Sequence, residues 1–149
     1  MVPKFTLVPS ALFSEERAGE LLSEVVLPNP GEPLSYLSVP EYGSVLIYQG
    51  DVPEVFNMLQ QLPRLRDYNK LIASVKDGHL YLAVAQGSSL LLCNCYRAVD
   101  FTTAEYYIFS ALKHFQINPE ISTLYFTSPL SQQQMISLCS YFKSAETLL

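Results

Sequence analysis

Residues 70 to 128 hold the pattern that most narrows what this chain can fold into: three β-rich runs, one helical stretch, and one more strand. Lys70 to Val75, His79 to Ala85 and Ser89 to Ala98 are separated only by Lys76-Asp77-Gly78 and Gln86-Gly87-Ser88. Connections that short force antiparallel neighbours, and Asp-Gly between β-rich runs is a strong hairpin signal. Leu71, Ile72, Ala73 and Val75 make the first run apolar on both faces, and Leu90-Leu91-Leu92-Cys93 do the same for the third. Strands of that kind are sheltered on two sides, so helices must pack on the sheet.

The spacing predicts one such helix from Thr102, with Thr102-x-x-Glu105 as a capping box and Phe101 stapled to Tyr106. Its inward stripe is Ala104, Tyr107, Ile108, Ala111, Leu112 and Phe115, and Asn118-Pro119 ends it. Thr123 to Thr127 reads as the fourth strand. Ser128-Pro129 then turns into a last helix, with Ser131-x-x-Gln134 as a second capping box and Met135, Leu138, Cys139 and Phe142 as its buried stripe.

The first part of the chain is less regular. Phe5 to Pro9 is an apolar strand. Ser14 caps a helix with Glu15 and Glu16 in its first turn and Ala18, Leu21, Leu22, Val25 and Val26 on one face. Tyr36 to Val39 and Val45 to Tyr48 read as short strands. Asp51 is the expected cap of a helix that turns Val55, Phe56, Leu59 and Leu62 inward. Arg64-Leu65-Arg66-Asp67 marks a boundary between a partial first lobe, residues 1–67, and a second lobe, residues 68–149. Strand, Pro9 and a Ser-capped helix echo strand, Pro129 and a Ser-capped helix, as an internal duplication would. The fold class expected is α/β, a mixed sheet with a three-strand antiparallel meander followed by helix, strand and helix, in the ribonuclease H-like or actin-like manner.

Composition narrows the partners. Only 15% of residues are charged and 49% are hydrophobic, which rules out disorder and leaves apolar surface for a protein partner or self-association. A net charge of −5 with no Lys/Arg cluster argues against nucleic acid and anionic membranes. No apolar run approaches the ~20 residues of a membrane span. Three cysteines, an odd number, fit a reducing cytoplasm better than a disulfide framework.

A nucleotide site in this architecture places Asp-x-Gly at the end of its first strand. The Asp holds a metal-bound water, and the Gly lets backbone approach phosphate. Here Ser74 and Lys76 stand at those places, and Ser128-Pro129 stands where a Gly-Gly adenosine turn belongs. Serine is a poor anchor for a divalent ion, and a lysine side chain occupies the phosphate approach. The site therefore reads as degenerate, with no cofactor and no catalytic residue. Asp77 is accounted for by its hairpin turn.

Cys93-x-Cys95 places two thiols on one strand face, with Cys139 a third sulfur, yet structural zinc wants four ligands. Only His79 and His114 remain, one at a turn and one on a helix, so the thiols read as buried small hydrophobes and no metal is expected. Glu15-Glu16 and Asp51/Glu54 are explained by helix-start electrostatics. No nucleophile elbow, phosphate loop or dinucleotide fingerprint is present. Phe109 falls outside the helical stripe between Glu105 and Lys113. With neighbouring Tyr106 it is the candidate partner surface.

Three segments keep their order over nearly the whole chain: Phe5-Thr6-Leu7-Val8-Pro9-Ser10-Ala11-Leu12-Phe13, then Leu91-Leu92-Cys93-Asn94 running into Phe101-Thr102-Thr103-Ala104-Glu105, then Leu124-Tyr125-Phe126 after Asn118-Pro119-Glu120. In these the chain resembles an uncharacterised Bacteroidetes domain-of-unknown-function family with an actin-like ATPase fold. The resemblance implies a first meander ahead of the Phe5 strand, which is missing here, and brings no functional residues with it. The expected function is a non-catalytic, cytoplasmic interaction or assembly module with a degenerate nucleotide site. The alternative is a divergent nucleotide-binding ATPase or kinase relative.

Overall fold

Asp77 and Gly78 both take positive φ, 51° and 75°, and close the first hairpin of the meander tightly. The computed structural model describes residues 3–148. Within it, β4 (Asn69–Lys76), β5 (His79–Gln86) and β6 (Ser89–Arg97) run antiparallel, as their short connections require. After the helix α3 (Phe101–His114), β7 (Thr123–Phe126) returns beside β4 and parallel to it. The helix α4 (Gln132–Cys139) leads to β8 (Ser144–Thr147), which pairs parallel with β7. The sheet order is β6-β5-β4-β7-β8. β8 lies beyond the last element that the sequence predicts, because Ser144-Ala145-Glu146-Thr147 carries almost no apolar signal; Ala145 alone of the four is buried.

A second, three-stranded antiparallel sheet holds β1 (Phe5–Pro9), β2 (Leu34–Val39) and β3 (Ser44–Gln49) in the order β1-β3-β2. Between β1 and β2 lie a 3-10 turn, Glu15–Arg17, and the short helix α1 (Ala18–Ser23). The helix α2 (Glu54–Gln61) connects β3 to β4.

Alternation along β4 and β5 divides the core. Leu71, Ala73, Leu80, Leu82 and Val84 face α3 and α4, with Ile108, Leu112, Phe126, Leu138 and Phe142. Ile72, Tyr81, Ala83 and Ala85 face the other way, with Val55, Met58 and Leu59 of α2 and Phe5, Leu46 and Tyr48 of the three-stranded sheet. The five-stranded sheet is thus covered on both faces, as its continuous apolar runs require. Residues from both sides of the expected lobe boundary share the second cluster.

Several local expectations are corrected. Asp100 caps α3, its carboxylate accepting from the Thr103 amide at 2.8 Å, so Thr102 and Glu105 form no capping box. That hydrogen bond holds the Asp100 carboxyl below the usual carboxylate range. Capping two residues earlier puts Phe101 over Phe126, with ring centroids 6.3 Å apart, rather than on Tyr106. Pro53 holds the cap position of α2 and Asp51 makes no cap there. α1 stops at Ser23, which leaves Val25 exposed. Ser14 caps the 3-10 turn that leads into α1 rather than α1 itself, whereas Ser131 caps α4 as expected and its capping box with Gln134 is complete. The strand-proline-helix echo is local only. β1 is followed by antiparallel partners, β7 by a parallel one.

The end of α3 explains the path into β7. Gln116 takes φ 57°, its amide donates to the Lys113 carbonyl at 3.2 Å, and the Ile117 amide donates to the Leu112 carbonyl at 2.9 Å. This double closure satisfies carbonyls of the last turn and buries Ile117 beside the helix it ends.

Candidate functional site

Ligands of open α/β sheets collect at the carboxyl ends of parallel strands, here the ends of β4 and β7. A cleft of about 540 Å³ opens beside them, between the turn joining β3 to α2 and the β4–β5 hairpin. Gly50, Asp51 and Glu54 line one wall and Lys76, Asp77 and His79 the other. Its charged lining residues also include Lys4 and Glu32, so four carboxylates face two lysines. A polyphosphate entering without a metal meets net negative charge.

The residues singled out in the sequence are brought to this end of the sheet, in unequal states. Ser74 is 1% exposed and faces α2, walled off from solvent. Lys76 follows it on the same face and reaches the cleft. Ser128 is buried, and its hydroxyl accepts the Val75 amide at 3.0 Å, whereas Pro129 lies exposed. The Thr127 amide donates to the Ala73 carbonyl at 2.9 Å, and the Thr127 hydroxyl donates to the Glu54 carboxylate at 3.1 Å. Two strand-end amides that could otherwise meet a phosphate are thus bonded within the fold. Glu54 and Thr127 were missed as partners, because a contact across 73 positions leaves no local sequence signal.

Cys93 and Cys95 lie on the face of β6 that looks toward the three-stranded sheet, while Cys139 is exposed on α4, beyond the opposite face. The expected burial of Cys139 is therefore corrected. Burial, with Cys95 nearby, pushes the Cys93 thiol up to about 12, and burial pushes the Cys95 thiol up to about 11. Both stay protonated at neutral pH, which suits packing rather than nucleophilic or metal chemistry. Among the described residues, no group of three or more His, Cys, Asp or Glu is placed to hold a metal ion.

The candidate partner surface divides in two. Tyr106 is 67% exposed, touching only the edge of Tyr107 among aromatic rings. Phe109 is half-buried, its ring 5.0 Å from that of Tyr141 and 5.6 Å from that of Phe142. The loop after α4 folds over it, a long-range closure that helical periodicity does not reveal. Glu105 bonds the Ser137 hydroxyl at 2.7 Å, fixing the two helices side by side.

A family model described as "Protein of unknown function (DUF3822)" matches residues 53–143, from the start of α2 to the residue before β8. The chain belongs to this family. In this DUF3822 chain the matched span holds α2, the meander, α3, β7 and α4. No curated protein matches the chain. Among solved structures, a Bacteroides thetaiotaomicron protein described as having an actin-like ATPase fold and unknown function is similar, with a TM-score of 0.79 and 22% identity. The match covers 97% of this DUF3822 chain and 65% of that protein, so the chain spans about two thirds of its neighbour's length. The fold is α/β and actin-like, as expected from the meander. No helix among the described residues is long and apolar enough to cross a membrane.

Proposed function

We propose that this chain is a non-catalytic interaction or assembly module, built as two lobes about residue 67, with a degenerate nucleotide site. The observation that supports this reading most is the Val75 amide bonded to the Ser128 hydroxyl at 3.0 Å, at the strand ends where a nucleotide's phosphates belong. A buried serine and an exposed proline replace the residues that would admit metal and adenosine. The partner surface we assign is Tyr106 with the rim of Phe109, on the outer side of α3. The charge of −5 supports a protein partner over nucleic acid, and three unpaired cysteines support a cytoplasmic setting.

The 540 Å³ cleft favours the second reading, a divergent nucleotide-binding ATPase or kinase relative, since its size is that of ordinary ligand sites. Melting curves with millimolar ATP and magnesium separate the two. A ligand at a hundred times its dissociation constant stabilises a fold by ~2.7 kcal/mol, so the absence of any rise in Tm is expected and a clear rise sinks the degenerate site. Sedimentation of Tyr106→Ser against the parent chain tests the surface. Weaker self-association or partner binding with unchanged stability is the expected result.

A further inference from the structure

Two sheet edges look at each other across a groove that the proposed function leaves unused. β1 is an outer strand of the three-stranded sheet and β6 an outer strand of the five-stranded one. Two adjoining cavities, about 410 and 540 Å³, run between them and share Leu7 and Cys93 as lining.

Backbone alternation decides which groups face this groove. In an antiparallel pair, every second residue bonds the partner and the others turn their N–H and C=O away. The Ala98 amide donates to the Gly78 carbonyl at 2.9 Å, whereas the Cys95 amide is taken by the side-chain oxygen of its neighbour Asn94 at 2.8 Å. Asn94 and Tyr96 therefore carry the ladder to β5, and Cys93, Cys95 and Arg97 turn their backbone groups to the open side. On β1, the Gln49 amide donates to the Lys4 carbonyl at 3.0 Å and the Ser10 amide to the Gly43 carbonyl at 2.8 Å, so Phe5 and Leu7 are likewise free outward. β6 runs for 9 residues with no proline and a single charge, an edge that β-proteins normally blunt.

Chemistry along the groove is uneven. In a chain of net charge −5, the Arg97 end of the groove is lined by Arg97 and His79 and no carboxylate, while Glu41 lines the Tyr42 end. Among the described residues Arg97 makes no ion pair. At the far end the Tyr42 hydroxyl is closed off from solvent without a hydrogen-bond partner.

We propose that this groove is a strand-acceptor site. An extended, mainly apolar segment of a partner protein adds to the β6 edge, with a carboxylate side chain at its Arg97 end. Main-chain hydrogen bonds to Cys93, Cys95 and Arg97 supply affinity, and alternate side chains fill the groove over Leu7 and the neutral thiols. The docked strand displaces the Asn94 side chain from the Cys95 amide and brings a polar group to Tyr42. This site lies on the opposite face of the five-stranded sheet from Tyr106, so it stands or falls separately from that surface.

The probes are two fluorescein-labelled heptapeptides of alternating valine and threonine, one with glutamate at its amino end and one at its carboxyl end. Fluorescence anisotropy with the whole chain should show saturable binding of one of them. N-methylation of alternate amides in that peptide should weaken it at least about tenfold, since the main-chain bonds are lost. Arg97→Glu, an exposed substitution that leaves the fold intact by melting, should weaken it about three- to tenfold. Failure of both peptides to saturate, or equal binding of the N-methylated form, overturns the site. So does a concentration-dependent dimer that excludes the peptide, which would give the edge to a second copy of this chain.

Discussion

The two sheets of this molecule use similar residues and differ in what lies on either side of them. β4 and β5 are buried along nearly their whole length, because α3 and α4 cover one face and α2 with the three-stranded sheet covers the other. β2, at the far edge of the smaller sheet, is mostly half-buried or exposed up to the buried Val39, and its Tyr36 is 42% exposed. Two-sided cover turns every residue of a strand into core. The smaller sheet is covered on both faces at its centre too, where β3 is nearly all buried and α1 backs Ile47, so the contrast lies in its edge strand β2, which keeps exposed residues.

The sharpest test of that contrast is a pair of truncations. Leu82→Ala in the middle of β5 should cost ~2–5 kcal/mol in urea denaturation, as buried leucines do. Tyr36→Ala should cost about 1 kcal/mol or less, chiefly its packing on Phe13, whose ring lies 5.0 Å away. Equal losses would mean that the smaller sheet is as deeply held as the larger one. Next in size is Ser128→Ala. It strips the Val75 amide of its acceptor at the strand end and should cost ~1–3 kcal/mol, the penalty of a stranded buried donor. A loss near zero would show that water reaches that amide, and the strand end would then count as open after all.

pH dependence reads the seam between the sheets through its thiols. Burial raises the Cys93 thiol from 9.0 to about 12 and the Cys95 thiol from 9.0 to about 11. The unfolded chain therefore releases these protons first. Their contribution is complete below pH 9.0 and is lost as pH rises toward those folded values. Stability measured from pH 7 to 11 should be level and then fall, and Cys93→Ala should make the fall shallower. An unchanged profile in that variant would mean the seam is wet at Cys93.

Legibility followed the same divide. The meander, α3 and β7 were readable because continuous apolar runs, short Gly-containing turns and one helical stripe all agree locally. β8 was not, since a strand of Ser144, Ala145, Glu146 and Thr147 becomes a strand only by pairing with β7. Caps were half legible. Asp100 and Thr102 both qualify as cap residues, and the packing of Phe101 on Phe126, a contact far along the chain, decides for Asp100. Ser74, Lys76 and Ser128 could be named from strand register alone, but that Ser128 bonds Val75 and Thr127 bonds Glu54 depends on how the ends of three elements meet. The cover over Phe109 belongs to the same class.

That Thr127–Glu54 bond also bears on motion. α2 is the covalent link between the sheets, and its first residue is held to the end of β7 at 3.1 Å while its Val55, Met58 and Leu59 are locked in the shared cluster. Rocking of one sheet against the other would have to open that cluster to water. Breathing there is thus tied to partial unfolding rather than to a hinge, and the amides of α2 should exchange with solvent about as slowly as those of β4.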